Sequence, residues 1–148
     1  VPSILIVDHD PASQRFTNEI LERAGVVCLL ADDLGKAIDI ARVHRPDGVL
    51  LEIGPFLEGI KAAHTIKADL PQTAVVLLTG HDEETYLSAT GKTGADALLP
   101  KRDLQHTLLP TLRALGGEFL WIWDRRERRG RWLPSPGLWD GNERRTDR

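Results

Sequence analysis

The sequence predicts an α/β fold, a doubly wound five-stranded parallel sheet with helices on both faces. Three observations lead there. Short apolar runs rich in β-branched residues alternate five times with helical patterns across residues 1–116. The central run, Val49-Leu50-Leu51, is apolar throughout, as a strand buried on both faces must be, and it ends in Glu52. Polar groups recur where the runs stop: Asp8 and Asp10 after the first, Glu52 after the third, Thr79 after the fourth and Lys101 after the fifth. In an open α/β sheet, ligands sit just beyond the carboxyl ends of the strands, so these groups converge on one crevice with Glu52 at its centre.

Ser3 to Val7 is the first strand. Asp10 is placed to cap a helix that starts at Pro11, with Phe16, Ile20, Leu21 and Ala24 facing inward and Gly25 closing it. Val26 to Leu30 reads as a second buried strand. Asp32 or Asp33 caps a helix whose inner face carries Leu34, Ala37, Ile38, Ala41 and Val43. The turn Arg45-Pro46-Asp47-Gly48 leads into the central strand. After Glu52 the loop GPFLEG precedes a helix from about Ile60 to Leu70, stopped by Pro71. Ala74 to Leu78 is the fourth strand, followed by a polar helix near Asp82 to Thr90 and a turn at Gly91/Gly94. Ala97 to Leu99 is the fifth, and Asp103 caps a last helix ending near Leu115.

The 148 residues suffice for one domain with a core and a short appendage. No apolar run approaches the roughly 20 residues of a membrane span, and the first residues carry no signal-peptide pattern. Cys28, the single cysteine, lies in the apolar run VVCLL and reads as a small core residue in a reducing, cytoplasmic compartment. A chain that starts at Val1 and lacks methionine reads as processed or cut from a longer product. Its net charge of -3 hides an asymmetry: residues 1–116 hold 11 basic and 16 acidic side chains, whereas residues 117–148 hold 8 and 6, with all four tryptophans. A boundary is therefore expected at Gly116-Gly117, with 1–116 as the domain and 117–148 as a Trp/Arg-rich tail or linker.

In that tail, Glu118 to Trp123 alternates like a strand, and DRRERRGRW supplies five arginines and a tryptophan. Such interleaving can bind a nucleic-acid backbone. A net of +2 over the segment is weak support, and a protein contact, a second copy of the chain or disorder is the favoured reading. A hairpin facing Trp123 to Trp132 is a further arrangement.

Clustered carboxylates attract a hard divalent cation such as magnesium, and a lysine with a hydroxyl opposite them can hold phosphoryl oxygens. Taken singly, each residue reads as an N-cap, a turn residue or a solvated charge. Their convergence favours a shared site. The pieces ILIVDHDP, RPDGVLLEI, VVLLTG and GADALLPK, in this order and spacing, resemble the receiver domain of bacterial two-component response regulators over residues 1 to about 116. The resemblance implies a flavodoxin-like sheet in the order 2-1-3-4-5. It also implies transfer of a phosphoryl group from a histidine kinase to an aspartate at the end of the third strand, with magnesium on neighbouring acids.

Residue by residue, this chain departs from that pattern where the chemistry lies. The acid pair after the first strand corresponds to Asp8 and His9, with Asp10 beyond it, and imidazole is a poor magnesium ligand. The phosphoacceptor position holds Glu52. The hydroxyl and lysine are kept as Thr79 and Lys101, the aromatic switch position is Leu98, and the proline after the lysine is Arg102. The loop GPFLEG is one residue shorter than the family's usual form. Glutamate carries its carboxylate about 1.5 Å further into the crevice than aspartate. A Glu52–Lys101 pair is thereby expected to form without metal.

The reading is an atypical, phosphorylation-independent receiver, not an enzyme, acting through a protein partner such as a histidine kinase, an output domain or another regulator. No cofactor is expected. Magnesium, if bound, binds weakly, with Asp8, Asp10 and Glu52 as candidate ligands. A permanently set conformation and simple drift both remain open as the reason for Glu52. The alternative is an active phosphoacceptor in a phosphorelay. A flavodoxin-like enzyme or flavin carrier would need a Ser/Thr/Gly-rich phosphate loop after the first strand, where DHDPAS would repel phosphate.

Overall fold

The computed structural model describes residues 1–54, 58–80 and 94–122. The helix expected near Asp82 to Thr90, the turn at Gly91 and the arginine-rich part of the tail lie outside the described residues. Strands β1 (Ser3–Val7), β2 (Val27–Ala31), β3 (Gly48–Glu52), β4 (Ala74–Thr79) and β5 (Ala97–Pro100) form one parallel sheet in the order β2-β1-β3-β4-β5. The described helices are α1 (Pro11–Arg23), α2 (Leu34–His44), α3 (Glu58–Asp69) and α4 (Leu104–Leu115).

The two faces of the sheet build two cores. Ile4, Ile6, Leu50, Val76 and Leu78 pack with Leu21 of α1 and Leu104, Leu108 and Leu112 of α4. On the other face Leu5, Val7, Leu51 and Leu77 pack with Ala37 and Ala41 of α2 and Ala62 and Ile66 of α3. This is the period-two alternation of a strand feeding two faces, with every inward residue apolar because both faces are covered. The register sets Val7 beside Leu51, Glu52 beside Leu78 and Thr79 beside Pro100. The polar strand ends are therefore brought level.

Asp10 caps α1, its side chain accepting from Ala12 N at 3.1 Å, and Asp33 rather than Asp32 caps α2, accepting from Lys36 N at 2.8 Å. Several expectations are corrected. Phe16 is exposed, because the buried stripe of α1 runs through Thr17 and Leu21, one position round the helix. Thr17 tolerates burial by donating to Ser13 O at 3.1 Å. Val43 is 75% exposed, since it lies two residues, or ~200° of helix, from buried Ala41. β2 begins at Val27 and is an edge strand, so Val27 and Leu30 are exposed and Cys28 is only partly buried. α3 begins at Glu58, two residues early, and Asp103 makes no side-chain cap bond.

The strand pattern read at Glu118 is a 3-10 turn over Gly117–Trp121. Phe119 and Ile122 lie three residues apart, one 3-10 turn, and both are buried in the α1/α4-side core. The packed unit thus continues past Gly116 to Ile122. Gly48 makes room for this: a Cβ there would stand 2.7 Å from Phe119 Cζ.

Candidate functional site

The site lies where β1, β3 and β5 end. Asp8 follows β1 directly, and its N–H donates to Ala31 O of β2 at 3.1 Å, which holds the strand end in place. Its carboxylate is buried. Oδ1 accepts from Asp10 N at 2.9 Å, and Oδ2 accepts from Ser13 Oγ at 2.5 Å and from Lys101 Nζ at 3.1 Å. Glu52 ends β3 and reaches into the same space. Its Oε2 accepts from Lys101 Nζ at 2.8 Å, and its Oε1 accepts from His9 N at 2.9 Å and meets His9 Nδ1. Glu52 is 14% exposed and the His9 ring 70%, so one wall of the site opens to solvent.

The α3 backbone fixes the height of Glu52. A Cβ at Gly59 would lie 2.3 Å from Glu52 O, so only glycine lets the first turn of α3 approach the end of β3 this closely. Beside Glu52 and His9 a cavity of about 310 Å³ is lined by Val7, Leu34 and Ile53 together with Asp32, Asp33 and Glu58.

Burial of Glu52 favours its neutral form, but the Lys101 ammonium and the His9 N–H and ring outweigh it and hold the carboxyl at about 2. Burial acts to lower the Lys101 pKa, and the bonds to Glu52 and Asp8 overcome this and raise it. The His9 pKa is raised by its bond to Glu52. Two carboxylates, one ammonium and a basic imidazole form one closed charge network.

Of the sequence-predicted residues, Asp8, Lys101, Glu52 and His9 are linked in that order, Lys101 bonding Asp8 and Glu52 and Glu52 bonding His9. Asp10 is turned away to cap α1 and contributes only its N–H to Asp8. Thr79 is fully buried at the end of β4, and its Oγ1 has no hydrogen-bond partner among the described residues. Leu98 is half-exposed on β5, and Arg102 sits in the 3-10 turn Lys101–Asp103. Ser13 is the residue the sequence reading passed over. It stands in the first turn of α1, inside the DHDPAS stretch, and orients the Asp8 carboxylate.

The group able to offer metal ligands among the described residues is Asp8, His9 and Glu52, with one ligand atom from each within 4.8 Å of the others, rather than Asp8, Asp10 and Glu52. This set does not fit magnesium. The cation prefers six hard oxygens, and here one position offers an imidazole nitrogen while each carboxylate oxygen already accepts a hydrogen bond.

A five-stranded 2-1-3-4-5 parallel sheet with acid, hydroxyl and lysine groups at its strand ends defines a receiver-type signalling module. The chain belongs to the response regulator receiver domain family, whose sequence profile matches residues 4–113. It is 34% identical over 115 residues to Protein PilH of Pseudomonas aeruginosa, covering 76% of this chain and 95% of PilH. It is 32% identical over 113 residues to Response regulator MprA of Mycobacterium sp. (strain KMS), where 76% of this chain matches 49% of MprA, about half its length. A CheY-like receiver domain protein from Methanospirillum hungatei JF-1 superposes with a TM-score of 0.61 at 27% identity, over 73% of this chain and 90% of that one. A response regulator from Thermotoga maritima shares the fold, with a TM-score of 0.65 at 20% identity, over 73% and 91%. The protein is thus a receiver domain of signal transduction, a class that acts through partner proteins. Among the described residues no helix is long and apolar enough to cross a membrane.

Proposed function

We propose that this receiver signals without accepting a phosphoryl group, by presenting a set conformation to a protein partner in the cytoplasm. One observation carries the reading: Lys101, the cation that would meet an incoming phosphoryl oxygen, is bound at 2.8 Å to Glu52 and at 3.1 Å to Asp8. Glu52 places a carboxylate in the crevice, and Lys101 and His9 neutralise it from within, so neither magnesium nor phosphate is needed for charge balance. Phosphoryl transfer also demands alignment of the attacking oxygen. A displacement of about 1 Å can cost roughly 100-fold in rate.

The partner is a histidine kinase, an output domain, another regulator or a second copy of the chain. Docking to nucleic acid is not favoured.

The second reading, an active receiver with Glu52 as acceptor, has one observation in its favour. Thr79 Oγ1 is buried and has no partner among the described residues, as a hydroxyl reserved for an anion would be. Incubation with acetyl phosphate, read by intact mass and by peptide mapping, decides between them. The unmodified chain supports the proposal, and label on Glu52, Asp8 or Asp10 supports the second reading.

A further inference from the structure

We propose that the open edge of β2 is a docking surface for a second copy of this chain, the two β2 strands pairing antiparallel about a two-fold axis at Leu29 to form one continuous sheet. This names the surface for one of the partners given above, and it holds whether or not Glu52 accepts a phosphoryl group. β2 stands at the end of the order β2-β1-β3-β4-β5 and pairs with β1 alone. Val27 N donates to Pro2 O at 2.9 Å and Asp8 N to Ala31 O at 3.1 Å, so Val27, Leu29 and Ala31 turn their backbone groups toward β1. Cys28 and Leu30 turn theirs outward, where they have no partner among the described residues. Edge strands are ordinarily blunted by lysine, proline or a bulge, because open backbone groups recruit another strand. The run Val26 to Ala31 has none of these devices. It reads VVCLLA, keeps an unbroken register with β1, and leaves Val27 and Leu30 half-exposed.

The occupant follows from the register. In an antiparallel pair, residues that offer both N–H and C=O must face one another, and a two-fold at Leu29 sets Cys28 of each copy against Leu30 of the other. Leu29 then meets Leu29, and Val27 meets Ala31, so every cross-strand pair is apolar. Asp32 and Asp33 fall opposite Val26 and Gly25, and no like charges meet along the strand. Helix α1 adds charge complementarity. It runs along β2 in the reverse direction: Gln14 Nε2 donates to Ala31 O at 2.9 Å, and further down the helix burial and the Glu22 carboxylate push the Cys28 thiol up to about 12. With the rises of helix and strand, Leu29 is level with Asn18 and Glu19, the midpoint between Arg15 and Glu22. Those two residues are exposed and stand two turns apart on one stripe of α1. The two-fold therefore brings Arg15 of each copy to Glu22 of the other. It also points the two crevices to opposite ends of the joined sheet, leaving both open to other partners.

The test is sedimentation equilibrium of the whole chain, which is expected to show a reversible monomer–dimer equilibrium between about 1 and 300 μM. Leu30→Lys puts a charge on the open edge and is expected to weaken the dimer at least about 10-fold. Arg15→Glu sets like charges together and is expected to weaken it about 10-fold, while Arg15→Glu combined with Glu22→Arg restores it. All three positions are exposed, and circular dichroism confirms that each variant is folded. Leu30→Cys tests the register: oxidation is expected to join the new thiol to Cys28 of the other copy, across the roughly 5.5 Å Cα separation of a hydrogen-bonded pair. The wild type, whose Cys28 faces Leu30, is expected not to cross-link. The inference is overturned if the chain stays monomeric throughout, whether the edge is unused or covered by another part of the chain. It is equally overturned by a dimer that survives both Leu30→Lys and Arg15→Glu, which would place the contact on another face. Neither outcome alters the acetyl phosphate result, so this inference and the proposed function fail separately.

Discussion

Lys101 Nζ lies 2.8 Å from Glu52 Oε2 and, with its other contact to Asp8, ties the end of β5 to the ends of β3 and β1. A partly buried ion pair in this position is a structural element as well as a chemical one. It joins strands that are not neighbours in the sheet, since β4 separates β3 from β5.

Removing the ammonium should therefore be costly. Lys101→Met leaves the buried Asp8 carboxylate and Glu52 without their shared cation, with an expected loss of about 2 kcal/mol, less than for a fully buried pair because the site is partly wet. Adding Glu52→Gln should recover part of that loss, as coupled neighbours do. Urea unfolding of the three variants measures it. Strictly additive losses would show that the pair carries no coupling.

The second prediction concerns Gly48 and Phe119. Gly48→Ala places a methyl 2.7 Å from the Phe119 ring, so the ring must leave its seat and the 3-10 turn with it, at a cost of about 1–3 kcal/mol. Combined with Phe119→Ala, the glycine substitution should add little further loss. A large additional destabilisation in the double variant would mean the two residues act independently.

Stability should depend on pH with opposite signs at the two ends of the network. The Glu52 carboxyl is held at about 2 against an ordinary 4.5, so its contribution is complete above 4.5 and is lost as pH falls toward 2. His9 is raised above 6.5, so its contribution is complete below 6.5 and is lost as pH rises through the raised value. The network supports the fold most strongly between about 4.5 and 6.5. Thermal melts across pH should show Glu52→Gln flattening the acid limb and His9→Asn the alkaline one. Unchanged limbs in both variants would remove these groups from the stability profile.

The sheet and the core of the site were legible because the information is local. Alternating patterns, Pro11, Asp10 and the apolar run ending in Glu52 each act within a few residues, and strand ends in a parallel sheet must converge. The Glu52–Lys101 pair followed from the convergence of the strand ends, the receiver resemblance and the extra methylene of glutamate. What was not legible depends on phase and neighbours. A shift of one position round α1 exposes Phe16, buries Thr17 and sets Ser13 against Asp8. β2 could not be read as an edge from its own residues, because edge position is a property of the sheet order. Phe119 and Ile122, three residues apart, would fall on opposite faces of a strand but lie on one side of a 3-10 turn, and the seat above Gly48 favours the turn. That Asp10 would cap a helix rather than join the acids was a competition between two readings of one residue, and the free N–H of Ala12 won it.

The central claim is that the crevice is closed to phosphoryl transfer by Glu52 and His9 together. The most direct measurement is phosphoryl incorporation from acetyl phosphate with magnesium, followed by mass spectrometry in the wild type, in Glu52→Asp, and in His9→Asp combined with Glu52→Asp. The account predicts no label in the wild type, little in the single variant, and clear label on the restored aspartate in the double variant, because Lys101 and Thr79 already stand at the strand ends. Label on Glu52 in the wild type would contradict it.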